Sequence, residues 1–378
     1  MSHMEHFYTL FNHFPTFIQA AILVIFIATA GSLITYIAIL KIRLIGFIKE
    51  KRNKVISSRI DDTIIEHIVS NQSLLSGGID NLELPLSHFQ QFNIKNKNVR
   101  RLLVRSLLYY HQVFGGKVRF LLSKLYKDLN LQQYALEKLY GGSSLQKINE
   151  LKELQRLAID VPEPVIHSLL NGKKSNERAI ARKYLFQQDK IDAFVLFDNI
   201  TERLTGWEEL ELFQLIIKKS RADVPDFANW IKSGINPSVL SLSMRLVVYF
   251  QQFNAVHALL ELLQASSDMR LNCKLINALG KLEQEEAEES LLNRYEEAVL
   301  DEKIEILKAL GRIGSGKRLD FLQHILETEQ SIVLRKHAAK SIVKHEHLAS
   351  GRVQHLKASA TGLNRIILGH VTNPLIKY

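Results

Sequence analysis

The segment Ile276–Leu282, INALGKL, returns 31 residues later as Leu307–Ile313, LKALGRI. Both copies follow an approach segment with charge and precede a polar turn. Ile342 in RKHAAKSIV (335–343) holds the place of Leu310 in the next copy, and Leu185, closing RAIARKYL (178–185), fits the same slot upstream. One apolar anchor per copy gives Leu154, Leu185, Ile216, Phe250, Leu279, Leu310 and Ile342, at spacings of 31, 31, 34, 29, 31 and 32. Self-similarity at such a period marks stacked supersecondary units.

The interior of each copy reads as helix. Lys303, Ile306, Ala309 and Leu310 recur as Arg335, Ala338, Ser341 and Ile342, and as Arg178, Ala181, Tyr184 and Leu185. Apolar or small residues at i, i+3 and i+6 or i+7 share one helix face. Ala181, Ala309 and Ala338 leave room for a neighbouring helix to come close. Gly280 and Gly311 follow the core turn, where a helix can end. Alternating β-branched runs are short, so strand signals are weak. The expected fold is all-α, an α-solenoid of helix pairs in which neighbours share one continuous core.

These residues resemble HEAT repeats of the short bacterial type, related to those of phycobilisome-lyase-like proteins. That pattern runs from an acidic-x-x-(Val)-Arg approach to Ala-x-x-Ala-Leu-Gly. Asp301-Glu302-Lys303 and Ala309-Leu310-Gly311 follow it best. Asn272-Cys273 departs from the approach, although Asp268 and Arg270 stand just before it. The segment LYKDLNLQQYALEKL (125–139) and the stretch from Trp207 to Leu212 extend the likeness to a group of bacterial proteins with one N-terminal span followed by HEAT repeats. The resemblance covers Lys117 to His347. It implies a binding surface rather than a catalyst. The partner it suggests is another inner-membrane protein, such as a membrane glycosyltransferase or a secretion component.

Residues Phe17 to Leu40, FIQAAILVIFIATAGSLITYIAIL, form 24 positions without a charge. As a helix they reach ~36 Å, enough to cross a ~30 Å hydrocarbon core with some tilt. Ala28-Thr29-Ala30 has the form of a signal-peptidase site, but the apolar run continues beyond it and no Lys or Arg precedes the run. Glu5 is the only charged residue before the run, whereas Lys41, Arg43, Lys49, Lys51, Arg52 and Lys54 follow it against a single Glu50. The side rich in Lys and Arg stays in the cytoplasm. The expected topology is an N-terminus outside, one span of the inner membrane, and a cytoplasmic body. Its expected parts are a short external N-terminus (1–16), the transmembrane helix (17–40), a basic juxtamembrane helix and loop (41–92), a helical-hairpin neck (93–140), the array (141–350) and a C-terminal cap or tail (351–378).

The net charge of +10 is uneven. Gln91 to Lys124 holds eight basic residues and no acidic one, while Lys281 to Glu305 holds ten acidic and three basic. A basic membrane-proximal half suits an anionic lipid surface, and with the excess so placed no nucleic-acid partner is expected. Lys41, Arg43, Lys49 and Arg52, with Arg100, Arg101, Arg105, Lys117 and Arg119 in the neck, are candidate lipid or phosphate contacts. The neck set could alternatively form a sensor groove for a nucleotide second messenger or an anionic lipid. Glu283, Glu285, Glu286 and Glu289 are a candidate acidic surface for a partner.

No catalytic constellation emerges. Gly311 to Lys317 fits GxxxxGK, but Arg318 stands where a P-loop needs Ser or Thr, and a helix precedes it where a strand is required. It reads as a turn between helices. Dense carboxylates in Glu283–Glu289 read as a solvated face. His337, His345, His347 and His355 lack the HExxH spacing, and Lys344 and Glu346 make their surroundings read as wet. Cys273 is the single cysteine, which rules out an intramolecular disulfide and a Cys-based metal site. The chain is expected to be a membrane-anchored adaptor, not an enzyme, with no metal or cofactor.

Overall fold

The helix Met269–Leu282 shows how this sequence folds locally. The Asp268 side chain caps it by accepting from the backbone N–H groups of Arg270 and Leu271. Leu275, Ile276, Leu279 and Leu282 fall on one buried face. Glu283 ends it in the left-handed region, at φ 56°. The computed structural model describes residues 15–76, 83–188, 191–373 and 375–376. Among them every regular element is helical and no strand occurs. Most of the expected external segment 1–16, and Gly77-Gly78, Asp80 and Asn81 of the expected loop, lie outside the described residues, as does the side chain of His347.

The chain divides into two compact units, Met1–Ser168 and Leu169–Tyr378. In the first, α1 runs unbroken over Thr16–Ile64 and passes into a π-helical turn at Ile65–Val69. Its 49 residues reach about 73 Å. Only Ile60, Thr63 and Ile64 of α1 are buried. Two short helices follow, α2 (Gln72–Ser76) and α3 (Ser87–Gln90). Next come α4 (Lys97–Val113), α5 (Gly116–Asp128), α6 (Leu131–Gly141), α7 (Ser144–Arg156) and α8 (Glu163–Leu170). The break between α4 and α5 falls at Phe114-Gly115, and Gly116, which opens α5, has a φ of +56° that favours glycine. A capping box of Ser143 and Gln146 opens α7. On α7, Glu150 pairs with Lys138, and burial together with the nearby Glu150 pushes the Glu153 carboxyl up to about 7.

In the second unit α9 (Ser175–Gln187), α10 (Leu196–Asn199) and α11 (Gly206–Ile216) alternate with short 3-10 turns. A run of regular helices follows: α12 (Pro237–Phe250), α13 (Ala255–Ala265), α14 (Met269–Leu282), α15 (Ala287–Tyr295), α16 (Leu300–Ile313), α17 (Leu319–Thr328), α18 (Ile332–Lys344), α19 (Glu346–Ser359) and α20 (Gly362–Val371). The even-numbered helices α12 to α20 pack successively in one row, and the odd-numbered helices form the second layer. Leu259, Leu279, Leu291, Leu310, Leu322 and Ile342 lie in the core between the layers.

Six of the seven sequence anchors are buried: Leu154, Ile216, Phe250, Leu279, Leu310 and Ile342. Leu185 is the exception, half-buried. The next residue, Phe186, takes the core position, with its ring 5.3 Å from Phe194 and 5.8 Å from Phe197. Phe227, Trp230 and Phe250 extend this aromatic cluster. Short turns wrap these large rings where a regular helix pair was expected.

Gly280 and Gly311 also differ from expectation. Both lie inside helices, and the helix ends are Glu283 and Gly314, each left-handed. A Cβ on Gly280 would stand 2.6 Å from Ala309 Cα, and one on Gly311 would stand 2.4 Å from Ser341 Oγ and 2.8 Å from its Cα. These glycines let α14 meet α16 and α16 meet α18 nearly backbone to backbone.

Gly280→Ala and Gly311→Ala are each expected to destabilise the chain by about 1–3 kcal/mol through overpacking, despite the better helix propensity of Ala. Gly369→Ala, with nothing within 4 Å of its added Cβ, is expected to gain up to about 1 kcal/mol. Denaturant melts of the three variants check this. A second expectation follows from Glu153. Its raised value means that the folded state holds a proton longer than the unfolded state does, so stability falls as pH rises from about 4.5 towards about 7. Glu153→Gln should therefore raise the melting temperature at pH 8 and leave it unchanged at pH 4.

Candidate functional site

The row α12, α14, α16, α18 buries one side against the second layer. Its other side forms a groove of about 1120 Å³. Helical spacing lines it: Ser241, Arg245 and Val248 on α12, Arg270, Cys273, Asn277 and Lys281 on α14, and Asp301, Ile304, Glu305 and Lys308 on α16. The α12 and α14 sets step by three or four positions, and on α16 Asp301, Ile304 or Glu305, and Lys308 do the same, so each set stays on one face.

One end is apolar and aromatic. Phe213, Met244, Val248, Tyr249 and Met269 line it. The Arg245 guanidinium lies 4.4 Å from the Phe213 ring centroid, and Tyr249 meets that ring edge-on at 5.8 Å.

At the other end Lys308 and His337 reach the groove, and further cations lie beside it. Lys308 and Arg312 stand on α16, one turn apart, and Lys336, Lys340 and Lys344 follow at four-residue intervals on α18. Burial holds the Lys340 ammonium below its ordinary value, and Lys336, Lys308 and Arg312 lower it further. Lys344 is lowered by burial, then by Arg312 and Lys340, with Glu283 opposing. His337, at the edge of the groove, is lowered by burial and by Lys308, Lys340 and Lys336, against Glu305. Like charges on the two helices and partial burial act in the same direction on these groups. Glu305 is already engaged. It accepts from Lys308 Nζ at 2.7 Å and Asn277 Nδ2 at 3.1 Å, and these bonds outweigh burial and hold its carboxyl low.

Burial, with Glu302, Glu305 and Asp301 nearby, pushes the half-buried Cys273 thiol up, which disfavours the nucleophilic thiolate. Among the described residues no three His, Cys, Asp or Glu side chains converge as metal ligands.

The structure scatters the basic residues anticipated near the membrane. Lys41, Arg43, Lys49 and Arg52 are exposed along α1. In the neck, Arg100 lies 4.0 Å from the Tyr134 ring centroid and donates to the Ile94 carbonyl. Lys117 donates to the Leu75 carbonyl at 3.0 Å, and Arg119 to the His111 carbonyl at 3.2 Å. Arg101 donates to Asn98 on its own helix, and Arg105 is exposed one turn further on. Each of these bonded groups fastens its own stretch of backbone or its own helix.

The acidic run is built into the array. Glu285 pairs with Lys317, Glu289 with Arg318, and the buried Glu288 accepts from Ser315 Oγ at 2.6 Å. Glu283 and Glu286 remain exposed. The stretch Gly311–Lys317 is the end of α16 and the turn after it, with Gly314 and Gly316 at φ 70° and 82°. His345, expected in wet surroundings, is 1% exposed, and its Nδ1–H donates to the Ser341 carbonyl at 2.7 Å. The helix end folds it inward against α18. Sequence reasoning missed the cations beside the groove, although the intervals Lys308–Arg312 and Lys336–Lys340–Lys344 were a usable signal.

Residues 256–343, from α13 into α18, match the HEAT repeats family. This part of the array is similar to HEAT repeats. The match is shorter than the Lys117–His347 range of the sequence resemblance. No curated protein matches the chain. HEAT repeats are protein-interaction scaffolds in general: helix pairs that touch only their neighbours leave long faces open.

His337 yields a pH expectation. Its lowered value means that the unfolded state takes up a proton first, so the His337 contribution to stability is lost as pH falls below about 6.5. An NMR titration should place the imidazole midpoint below 6.5, and Lys336→Gln with Lys340→Gln should move it up. An unchanged midpoint would show that the lysines do not act on it.

Proposed function

We propose that the chain is a membrane-anchored adaptor: α1 holds it in a bacterial inner membrane, and the HEAT groove on the cytoplasmic side grips a protein partner of that membrane. The observation that carries the reading is the apolar window of α1, with mean hydropathy 2.4 and none of it buried within the chain. Phe17, Val24, Phe26 and Ile34 are each more than 60% exposed. So much exposed apolar surface is costly in water and favourable in hydrocarbon. The polar side chains there are internally satisfied. The hydroxyls of Thr29, Ser32 and Thr35 donate to carbonyls one turn earlier, at 2.8–3.1 Å, as a lipid environment demands. The cations that follow the run favour a cytoplasmic body. The adaptor role, rather than catalysis, is supported by an open groove whose one thiol is disfavoured as a nucleophile and whose Glu305 is tied up by Lys308 and Asn277.

One experiment tests both parts. A photo-crosslinking amino acid is placed at Met269 in the groove, or at the exposed His324 on α17, in the full chain expressed in cells. The chain is expected to stay in the membrane pellet after an alkaline wash. Protein adducts are expected from position 269 and not from 324. Release by the wash would sink the anchor, and equal or absent adducts would sink the adaptor.

A further inference from the structure

Every residue from 41 to 52, on α1 just past the uncharged run, is exposed. We propose that this stretch is a lipid-binding collar: Lys41, Arg43, Lys49, Lys51 and Arg52 ring α1 at the bilayer surface and gather anionic headgroups around it. The proposal rests on the anchor reading of α1. It also divides the basic residues of the first unit, because the neck stands too far from the lipid to share the contact.

Angular spread is the first argument. Ile42, Leu44, Ile45, Phe47 and Ile48 are each more than half exposed. Successive helical residues lie about 100° apart, so these five spread over about 220° of the circumference. By the same count the five cations leave no gap wider than about 120° around the helix. A neighbouring helix covers a stripe of about 100°. Neither a partner helix nor a second copy reaches all of these side chains, whereas lipid surrounds them.

Charge is the second. Glu50 is the one carboxylate between Lys41 and Lys54. It lies 3.5 Å from Lys54, with both side chains well exposed, where an ion pair holds little. Pairing two copies along this stretch would bring like charges together. Anionic headgroups neutralise them, and the apolar side chains between the cations enter the headgroup boundary.

Height is the third, and it separates collar from neck. The helix is unbroken from Thr16 to Ile64. Arg52 stands ~18 Å past Leu40 along the axis, and about 15 Å above the hydrocarbon once the run is tilted to fit its ~30 Å thickness. Headgroups add about 5–8 Å on each side, and surface charge acts about 8–10 Å further. The collar lies within that range. Asn98, at the start of α4, donates to Asn53 at 2.7 Å. Lys117, opening α5, reaches the Leu75 carbonyl beyond the end of α1. Burial, followed by Asp61, Tyr109 and Asp62, pushes the Tyr110 hydroxyl up, in keeping with a place beside that later turn. So α4 starts where the collar ends and runs away from the membrane. Arg105, seven residues past Asn98, stands about 25 Å above the hydrocarbon by the same count, outside the reach of the surface.

The test reconstitutes the full chain in phosphatidylcholine vesicles with a trace of spin-labelled phosphatidylglycerol or spin-labelled phosphatidylcholine. Electron paramagnetic resonance reads the fraction of label held beside the protein. Phosphatidylglycerol should associate about threefold or more better, and added salt should weaken the preference. Lys49→Gln with Lys51→Gln and Arg52→Gln keeps Lys41 and Arg43 as the topology signal, and should cut the preference by about half or more. Arg101→Gln with Arg105→Gln should leave it unchanged. No preference, one that the triple variant keeps, or one that the neck pair removes overturns the proposal. A photo-crosslinking amino acid at Phe47 in cells should capture lipid; adducts to a second copy or another protein, or no adducts, overturn it too. Release by the alkaline wash would remove the anchor and the collar together. A chain retained in the membrane without the preference would remove the collar alone.

Discussion

Helix contact at glycine sets the second unit. Where Gly280 faces Ala309 and Gly311 faces Ser341, only the small Ala309 and Ser341 side chains lie between the backbones. Spacing between packed helices depends on the residues at the contact, so these positions fix how near α14, α16 and α18 lie. The core between the layers and the groove on the opposite side both follow from that spacing. Ser341 adds direction to the contact: its hydroxyl donates to the Leu307 carbonyl at 2.7 Å, inside the interface. A larger residue at either glycine would push the row apart and disturb both faces together.

Polar groups then lock the order of the copies. Asn272, 1% exposed, donates to Glu302 at 2.9 Å, and Arg294 donates to the same carboxylate at 3.1 Å. Arg182, also buried, lies 2.6 Å from Glu202 and 3.2 Å from Glu208. Burial would raise the Glu202 carboxyl, but hydrogen bonds from Arg178 and Arg182 outweigh it and hold the group at about 2. Buried ions of this kind add little net stability against apolar replacements, yet a misaligned copy would leave them unpaired, at much greater cost. They act against slippage, and the apolar core supplies the cohesion.

The repeat was legible because burial imposes periodicity. Leu279, Leu310 and Ile342 must each meet the shared core, so their spacing shows in the sequence. The segment around Phe186, Phe227 and Trp230 was less legible, because large rings can fill a core from irregular turns and leave no period behind. Gly280 and Gly311 were visible but misread. A glycine after a core turn looks the same whether it ends a helix or admits a neighbour, and only the neighbour's backbone decides. The acidic run was legible as a charged stretch but its pairing was not: the partners of Glu285 and Glu289, Lys317 and Arg318, come from the following copy. The groove was only partly legible, since its cations are periodic along each helix but their crowding depends on the lateral contact of α16 with α18.

The clasps between copies join residues 27 to 34 positions apart, as in Ser315 with Glu288, Asn272 with Glu302 and Ser341 with Leu307. That interval makes length change in quanta. Duplicating or deleting one whole period returns every glycine, clasp and anchor to an equivalent neighbour. Inserting a few residues inside a helix of the row rotates all later contacts off their partners. Such an array can therefore lengthen or shorten its groove in evolution by whole steps, while fine adjustment is confined to the turns and to the open face.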